Sequence, residues 1–158
     1  MRTELQTPGP PSALPCLCAN LRRASRIVTQ LYEEALRPLG LRATQFTVLQ
    51  ALSLAGEVNQ SLLGQILAMD STTLTRTLEI MKRRGWIVQR RGEDRREWRI
   101  GLSQPGRDQL KRALPRWRSV QHRVHSQLGN ELWEHLFNVT GQIVRALTGL
   151  SNPKGEKS

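Results

Sequence analysis

The sequence predicts a mainly α-helical fold, a winged helix-turn-helix with a β-hairpin wing beside a helical dimerisation region. Three observations predict it. Apolar residues recur at spacings of three and four near both ends of the chain, two helical patterns between residues 60 and 84 are separated by three residues, and two short alternating segments follow them at once. Those two segments flank RRGEDRREWRI, residues 90–100, which packs five arginines and three acids around one tryptophan.

Residues 1–14 and 151–158 are rich in Pro, Gly, Ser, Thr and Lys, bury little, and read as flexible tails. The segment 15–40 reads as a dimerisation helix: Leu17, Leu21, Ala24, Val28, Leu31 and Ala35 form a seam that one helix cannot bury against itself, and Pro38 and Gly40 stop it. A lobe follows at 41–102. Thr44 reads as the N-cap of TQFTVLQALS, with Phe46, Leu49 and Leu52 on one side. After Gly56 comes a short helix, QSLLGQILA, then the turn Ala68-Met69-Asp70, then a helix from Ser71 to about Arg84. Gly85 ends it, and WIVQRRG and EWRIGL read as the strands of a hairpin with EDR at its tip. Residues 103–150 supply further dimerisation helices: Ser103 and Pro105 open one, Pro115 should kink it, and Gly129-Asn130 starts the last, with Leu132, Leu136, Val139, Ile143 and Leu147 on one face. Six helices and one hairpin result.

The 158 residues suit one domain with attached helices, and 24 Lys+Arg against 13 Asp+Glu give a formal charge of +11. Polyanions are therefore the natural partners, nucleic acid first and anionic membrane surface second. No stretch approaches the roughly 20 apolar residues of a spanning helix, and MRTELQTPGPPSALP lacks the apolar core of a signal peptide, so a cytoplasmic protein without membrane contact is expected. Two cysteines, Cys16 and Cys18, are too few for a secreted disulfide framework.

On the helix from Ser71, Leu74, Leu78 and Met81 fall on one side and Thr72, Arg76, Glu79 and Arg83 on the other. Its first turn, DSTTLTR, offers the small hydroxyls of Ser71, Thr72, Thr73 and Thr75 to base edges, free N–H groups to phosphate, and Arg76 to guanine. By itself this is more simply an ordinary solvated face capped by Asp70. A basic hairpin directly after it changes the balance, because Arg95 or Arg96 can enter the minor groove while the helix occupies the major groove beside it. Asp94 would hold a neighbouring arginine in one orientation, and Arg90, Arg91 and Arg99 would meet phosphates.

These residues resemble the MarR family of bacterial transcriptional regulators. The family's wing signature, Asp-x-Arg, five residues, then Leu-Thr, stands here as Asp94, Arg95, Arg96, EWRIG, Leu102-Ser103, with Ser for Thr. DSTTLTRTLEIMKRRGWIVQR looks like the recognition helix running into the first wing strand, and TQFTVLQAL like the helix before the turn. The resemblance covers about residues 16–148. It implies a homodimer with interlocking first and last helices, bound to pseudo-palindromic double-stranded operator DNA, usually as a repressor released by a small-molecule inducer or an oxidant.

LCANLRRASRIVTQLY, residues 17–32, is similar to the opening of the organic-hydroperoxide sensors within that family, which places Cys18 at the peroxide-reactive position and Tyr32 at a supporting tyrosine. Arg22 and Ala43 depart from the pattern where those sensors have an aromatic residue and a second supporting tyrosine. Positions two apart on a helix point to nearly opposite sides, so a bond between Cys16 and Cys18 would unwind it, while a bond across a dimer would not. A structural cysteine buried in the seam remains the alternative to a redox sensor. His122, His125, His135 and Glu131 could be arranged around zinc, but exposed histidines on a basic helix are the simpler reading, and neither metal nor cofactor is expected. Trp86, Trp117 and Trp133 read as packing, or as walls of a ligand pocket. With no phosphate loop, no nucleophile beside a His and an acid, and no paired carboxylates, the chain reads as a non-enzyme. Two competing readings stand beside the regulator: a sequence-indifferent architectural DNA- or RNA-binding protein, and a peroxide-consuming thiol enzyme built on Cys18.

Overall fold

The computed structural model describes residues 15–92 and 97–148. Five helices and three strands follow in the order α1 (Leu17–Leu36), α2 (Ala43–Ala55), β1 (Val58–Asn59), α3 (Gln60–Leu67), α4 (Ser71–Arg83), β2 (Ile87–Arg91), β3 (Trp98–Leu102) and α5 (Gln104–Thr148), with a 3-10 turn at Arg37–Leu39 after α1. The tip of the expected hairpin, with Asp94, Arg95 and Arg96, and both expected tails at 1–14 and 151–158 lie outside the described residues.

α1 ends where the sequence places its stop, at Pro38 inside the 3-10 turn and Gly40 in the left-handed region at φ +62°. Its seam, however, is only partly covered among the described residues: Leu31 and Ala35 are half-buried. Leu17, Leu21, Ile27 and Val28 are all exposed, as are Leu132, Leu136 and Leu147 near the other end.

α2 begins one residue before Thr44, which was expected to cap it. The Ala43 amide donates to Glu33 Oε1 at 2.8 Å and the Arg42 amide to Gln45 Oε1 at 3.0 Å. The capping carboxylate thus arrives from α1, ten residues upstream, where no local pattern announces it. Phe46, Val48, Leu49 and Leu52 then bury into a core completed by Leu36, Leu41, Leu63, Leu74, Leu78, Met81 and Ile100.

The two expected strands pair antiparallel, from Ile87 opposite Leu102 to Arg91 opposite Trp98. A third strand goes beyond the expected hairpin: β1 adds Val58 opposite Ile100 and Asn59 opposite Arg99, giving the order β1-β3-β2. Two residues are too few to show alternation in a sequence, which is why β1 was not foreseen.

Ser103 opens α5 as expected, its hydroxyl accepting the Gly106 amide at 3.0 Å. Pro115 does not break the helix. The non-helical dihedrals lie at Gly129 (φ +75°, ψ 165°), which divides α5 into two arms. Proline leaves the carbonyl four residues earlier without its amide donor and crowds it with the ring, and on this exposed side water can bond that carbonyl. Gly129 instead uses a conformation that side-chain-bearing residues rarely adopt, and begins the second arm where the sequence places it.

Candidate nucleic-acid interface

The turn between α3 and α4 is closed by Ala68 in the left-handed region (φ +48°), with the Met69 amide donating to Gly64 O at 3.0 Å. Asp70 then caps α4. Its Oδ1 accepts the Thr73 amide at 2.9 Å and its Oδ2 accepts the Thr73 hydroxyl at 2.6 Å. The hydrogen bonds from Thr73, side chain first and amide second, hold the Asp70 carboxyl below the usual carboxylate value. Thr73, expected among the base-reading hydroxyls, is therefore engaged in the cap.

Leu74, Leu78 and Met81 anchor α4 in the core, which turns Ser71, Thr72, Thr75, Arg76, Glu79 and Arg83 outward. The first five of these line a shallow hollow of about 370 Å³. The Thr75 hydroxyl accepts a hydrogen bond from Gln60 Nε2 at 2.8 Å. Gln60, at the first position of α3, was missed by sequence reasoning because its relation to Thr75 exists only once α3 and α4 pack.

The wing arginines are held by acids that the sequence reading left unassigned. Arg90 faces Glu57 at 3.7 Å and Arg99 faces Glu97 at 3.9 Å, while Asn59 donates to Glu97 Oε1 at 2.7 Å. Such exposed pairs contribute little stability, and their effect is to limit where the guanidinium groups point. Arg91 lies over the exposed Trp98 ring, 5.2 Å from its centre. The arrangement therefore presents a hydroxyl-rich, partly basic helix beside a sheet whose strands β2 and β3 carry three oriented cations. Its elements match what a major-groove helix with a flanking wing requires.

Cys16 stands at the N-cap of α1 and Cys18 inside its first turn, and both are exposed in the single chain, as is the neighbouring seam residue Leu17. Tyr32 lies fourteen residues beyond Cys18 on the same helix, about 21 Å away at 1.5 Å per residue, so the two can meet only between chains. Burial raises the Tyr32 phenol above its ordinary value. With Thr29, Phe46 and Trp117 it lines a cleft of about 180 Å³ next to Ala43, the Phe46 and Trp117 rings lying 5.9 Å apart. His125 stacks against Trp133, which meets Phe137 in turn, each pair at 5.0 Å. Among the described residues no three His, Cys, Asp or Glu are grouped to hold a metal ion, and no helix is long and apolar enough to cross a membrane.

Comparison with known proteins agrees with this geometry. Residues 39–97 match the model of the MarR family. The DNA-bound crystal structure of the Mycobacterium tuberculosis transcriptional regulator MosR is 38% identical, covers 85% of this chain and 98% of its own, and superposes with a TM-score of 0.77. The transcriptional repressor CouR, bound to a 23-mer DNA duplex, is 26% identical over 81% of this chain and 92% of its own, with a TM-score of 0.74. The HTH-type regulator YwoH of Bacillus subtilis is 31% identical over 55% of this chain, and that match spans 64% of YwoH. These relatives are regulators and not enzymes, and the chain belongs to the MarR family of transcriptional regulators.

Proposed function

We propose that this chain binds double-stranded DNA in a sequence-specific manner as a homodimer on a pseudo-palindromic operator. In this reading it is a cytoplasmic repressor, released by a small-molecule inducer or by oxidation of a thiol. The observation that carries it is the outward face of α4, with Thr72, Thr75 and Arg76 set for base edges, beside a wing whose Arg90, Arg91 and Arg99 are set for phosphates. MosR, 38% identical, is described in complex with DNA. Asp94, Arg95 and Arg96, at the wing tip, keep their role from the family signature.

The homodimer is supported by the two uncovered apolar faces. Ala24, Val28 and Leu31 of α1 and Val124, Leu128 and Leu136 of α5 line an apolar groove of about 510 Å³ that a second copy would fill. For release, the cleft beside Tyr32, at about 180 Å³, falls short of the roughly 300 Å³ where drug-sized pockets begin. Two exposed thiols at the start of α1 favour oxidation at Cys18, with Tyr32 supplied from the second copy.

Fluorescence anisotropy on DNA from upstream of the protein's own gene, against random duplex, tests the reading. We expect binding to the operator about a thousandfold tighter than to random duplex at physiological salt. One equivalent of an organic hydroperoxide should abolish it, thiol should restore it, and Cys18→Ser should make it insensitive. Equal affinity for both duplexes would instead favour the sequence-indifferent architectural protein.

A further inference from the structure

Gln109 is 1% exposed, one of two buried polar residues among those described. Its Nε2 donates to Leu39 O at 2.9 Å, across 70 residues of sequence, and its Oε1 accepts from Arg112. The next carbonyl along the chain is taken from the opposite side: Arg84, at the C-terminus of α4, donates from its guanidinium to Gly40 O at 2.7 Å and stacks on the Trp86 ring at 5.0 Å. A Cβ at Gly40 would stand 3.3 Å from the same guanidinium nitrogen, so the guanidinium would have to give by a few tenths of an ångström to admit one.

Two adjacent carbonyls at the end of the 3-10 turn that follows α1 are thus bound by two elements that are distant in sequence. One is the helix that carries the reading face, and the other is the helix that leads into the C-terminal apolar arm. An apolar side chain at position 109 would fill the same space, but it would let the packed elements slide. A buried amide satisfied at both ends fixes one orientation, because any other leaves a desolvated donor or acceptor unpaired.

Resting on the operator-binding reading above, we propose that Gln109 and Arg84 are positioning residues that set the angle of α4 against α1 and α5, and so the spacing between half-sites that the dimer accepts. Neither residue needs to touch DNA for this. The pair acts on where two reading heads stand relative to each other, a quantity that a single half-site cannot report.

The test is a ladder of inverted repeats, with the half-site separation at the preferred value and lengthened or shortened by one and two base pairs, bound by the full-length protein, Arg84→Met and Gln109→Leu. The readout is the ratio of affinities at preferred and offset spacing, which cancels the loss of a charge at position 84. Wild type is expected to prefer one spacing, and each variant to reduce that ratio by about fivefold, with offset duplexes retaining their share of binding. A ratio unchanged in the variants, with or without a lower Tm, would overturn the assignment and make both contacts purely structural. Arg84 is exposed, so its variant decides the matter even if Gln109→Leu fails to fold. A flat ladder for wild type would overturn the operator reading itself, and this inference with it.

Discussion

Gly106 lies against the backbone of Trp86 so closely that a Cβ built on the glycine would stand 1.9 Å from the Trp86 carbonyl oxygen. That carbonyl also accepts the Ser103 amide at 3.1 Å, and the Ser103 hydroxyl is bonded to Gly85 O and to the Gly106 amide. The first turn of α5 is therefore seated directly on the residue that enters β2. Gly106→Ala must push the two backbones apart, and we expect it to cost about 3 kcal/mol or more, read as a lower midpoint in urea unfolding. A loss below about 1 kcal/mol would show that the two elements separate freely.

Arg76 and Arg91 should fail in different ways. Arg76 points outward from α4, and its replacement by alanine should weaken the preferred operator by about 1–3 kcal/mol and relax selectivity at one base pair. Arg91, laid over Trp98 on the wing, should when replaced weaken every duplex alike and reduce the dependence of affinity on salt. A panel of single-base operator variants, measured at two salt concentrations, separates them. Equal losses on specific and random duplex for both variants would contradict the assignment.

The cap of α4 has a defined pH window. Thr73 holds the folded-state Asp70 carboxyl below its ordinary value of 3.8, so the charged form is the one that folding favours. Its contribution is fully present above 3.8 and is lost as the pH falls through the lower folded-state value. The gap in Tm between wild type and Asp70→Ala should be constant above about pH 5 and close progressively in stronger acid. A gap that widened in acid would reverse the sign and refute it.

A carboxylate placed in the apolar groove should separate the copies. Val28→Asp and Leu136→Asp add charge at positions already exposed in the single chain, so each protomer should keep its far-ultraviolet circular dichroism. Sedimentation at micromolar concentration should show monomers, and operator affinity should fall by about a hundredfold as the advantage of two linked reading heads disappears. Variants that remain dimeric would place the subunit contact elsewhere.

Where the chain's structure depends on spacing along one element, it was legible. Leu74, Leu78 and Met81 declared the buried side of α4, Asp70 its cap, and the alternation around Ile87 and Ile100 the hairpin. Positions that depend on an element far away were not legible. The start of α2 is set by Glu33 on α1 and the orientation of Arg90 by Glu57, neither of which shows as local periodicity. Pro115 stands inside α5 with the helix continuing past it, and the non-helical dihedrals that divide α5 lie at Gly129. At the candidate interface the sequence supplied the residue types and the Asp70 cap that engages Thr73, but only packing showed that Gln60 holds Thr75.

The small sheet also protects the protein from its own hydrogen-bonding capacity. With the order β1-β3-β2, the inner strand is flanked by β2 along its whole length and by β1 at Arg99 and Ile100, and β1 and β2 form the outer edges. One edge is β1, two residues long, too brief to recruit a foreign strand; the other is β2, which carries Arg90 and Arg91 at its end. Short length and positive charge are the features that keep edge strands from templating aggregates. Cations set to meet phosphate would thus also keep unbound copies from adding strand to strand, so neutralising them to weaken DNA binding should carry a second penalty in solubility.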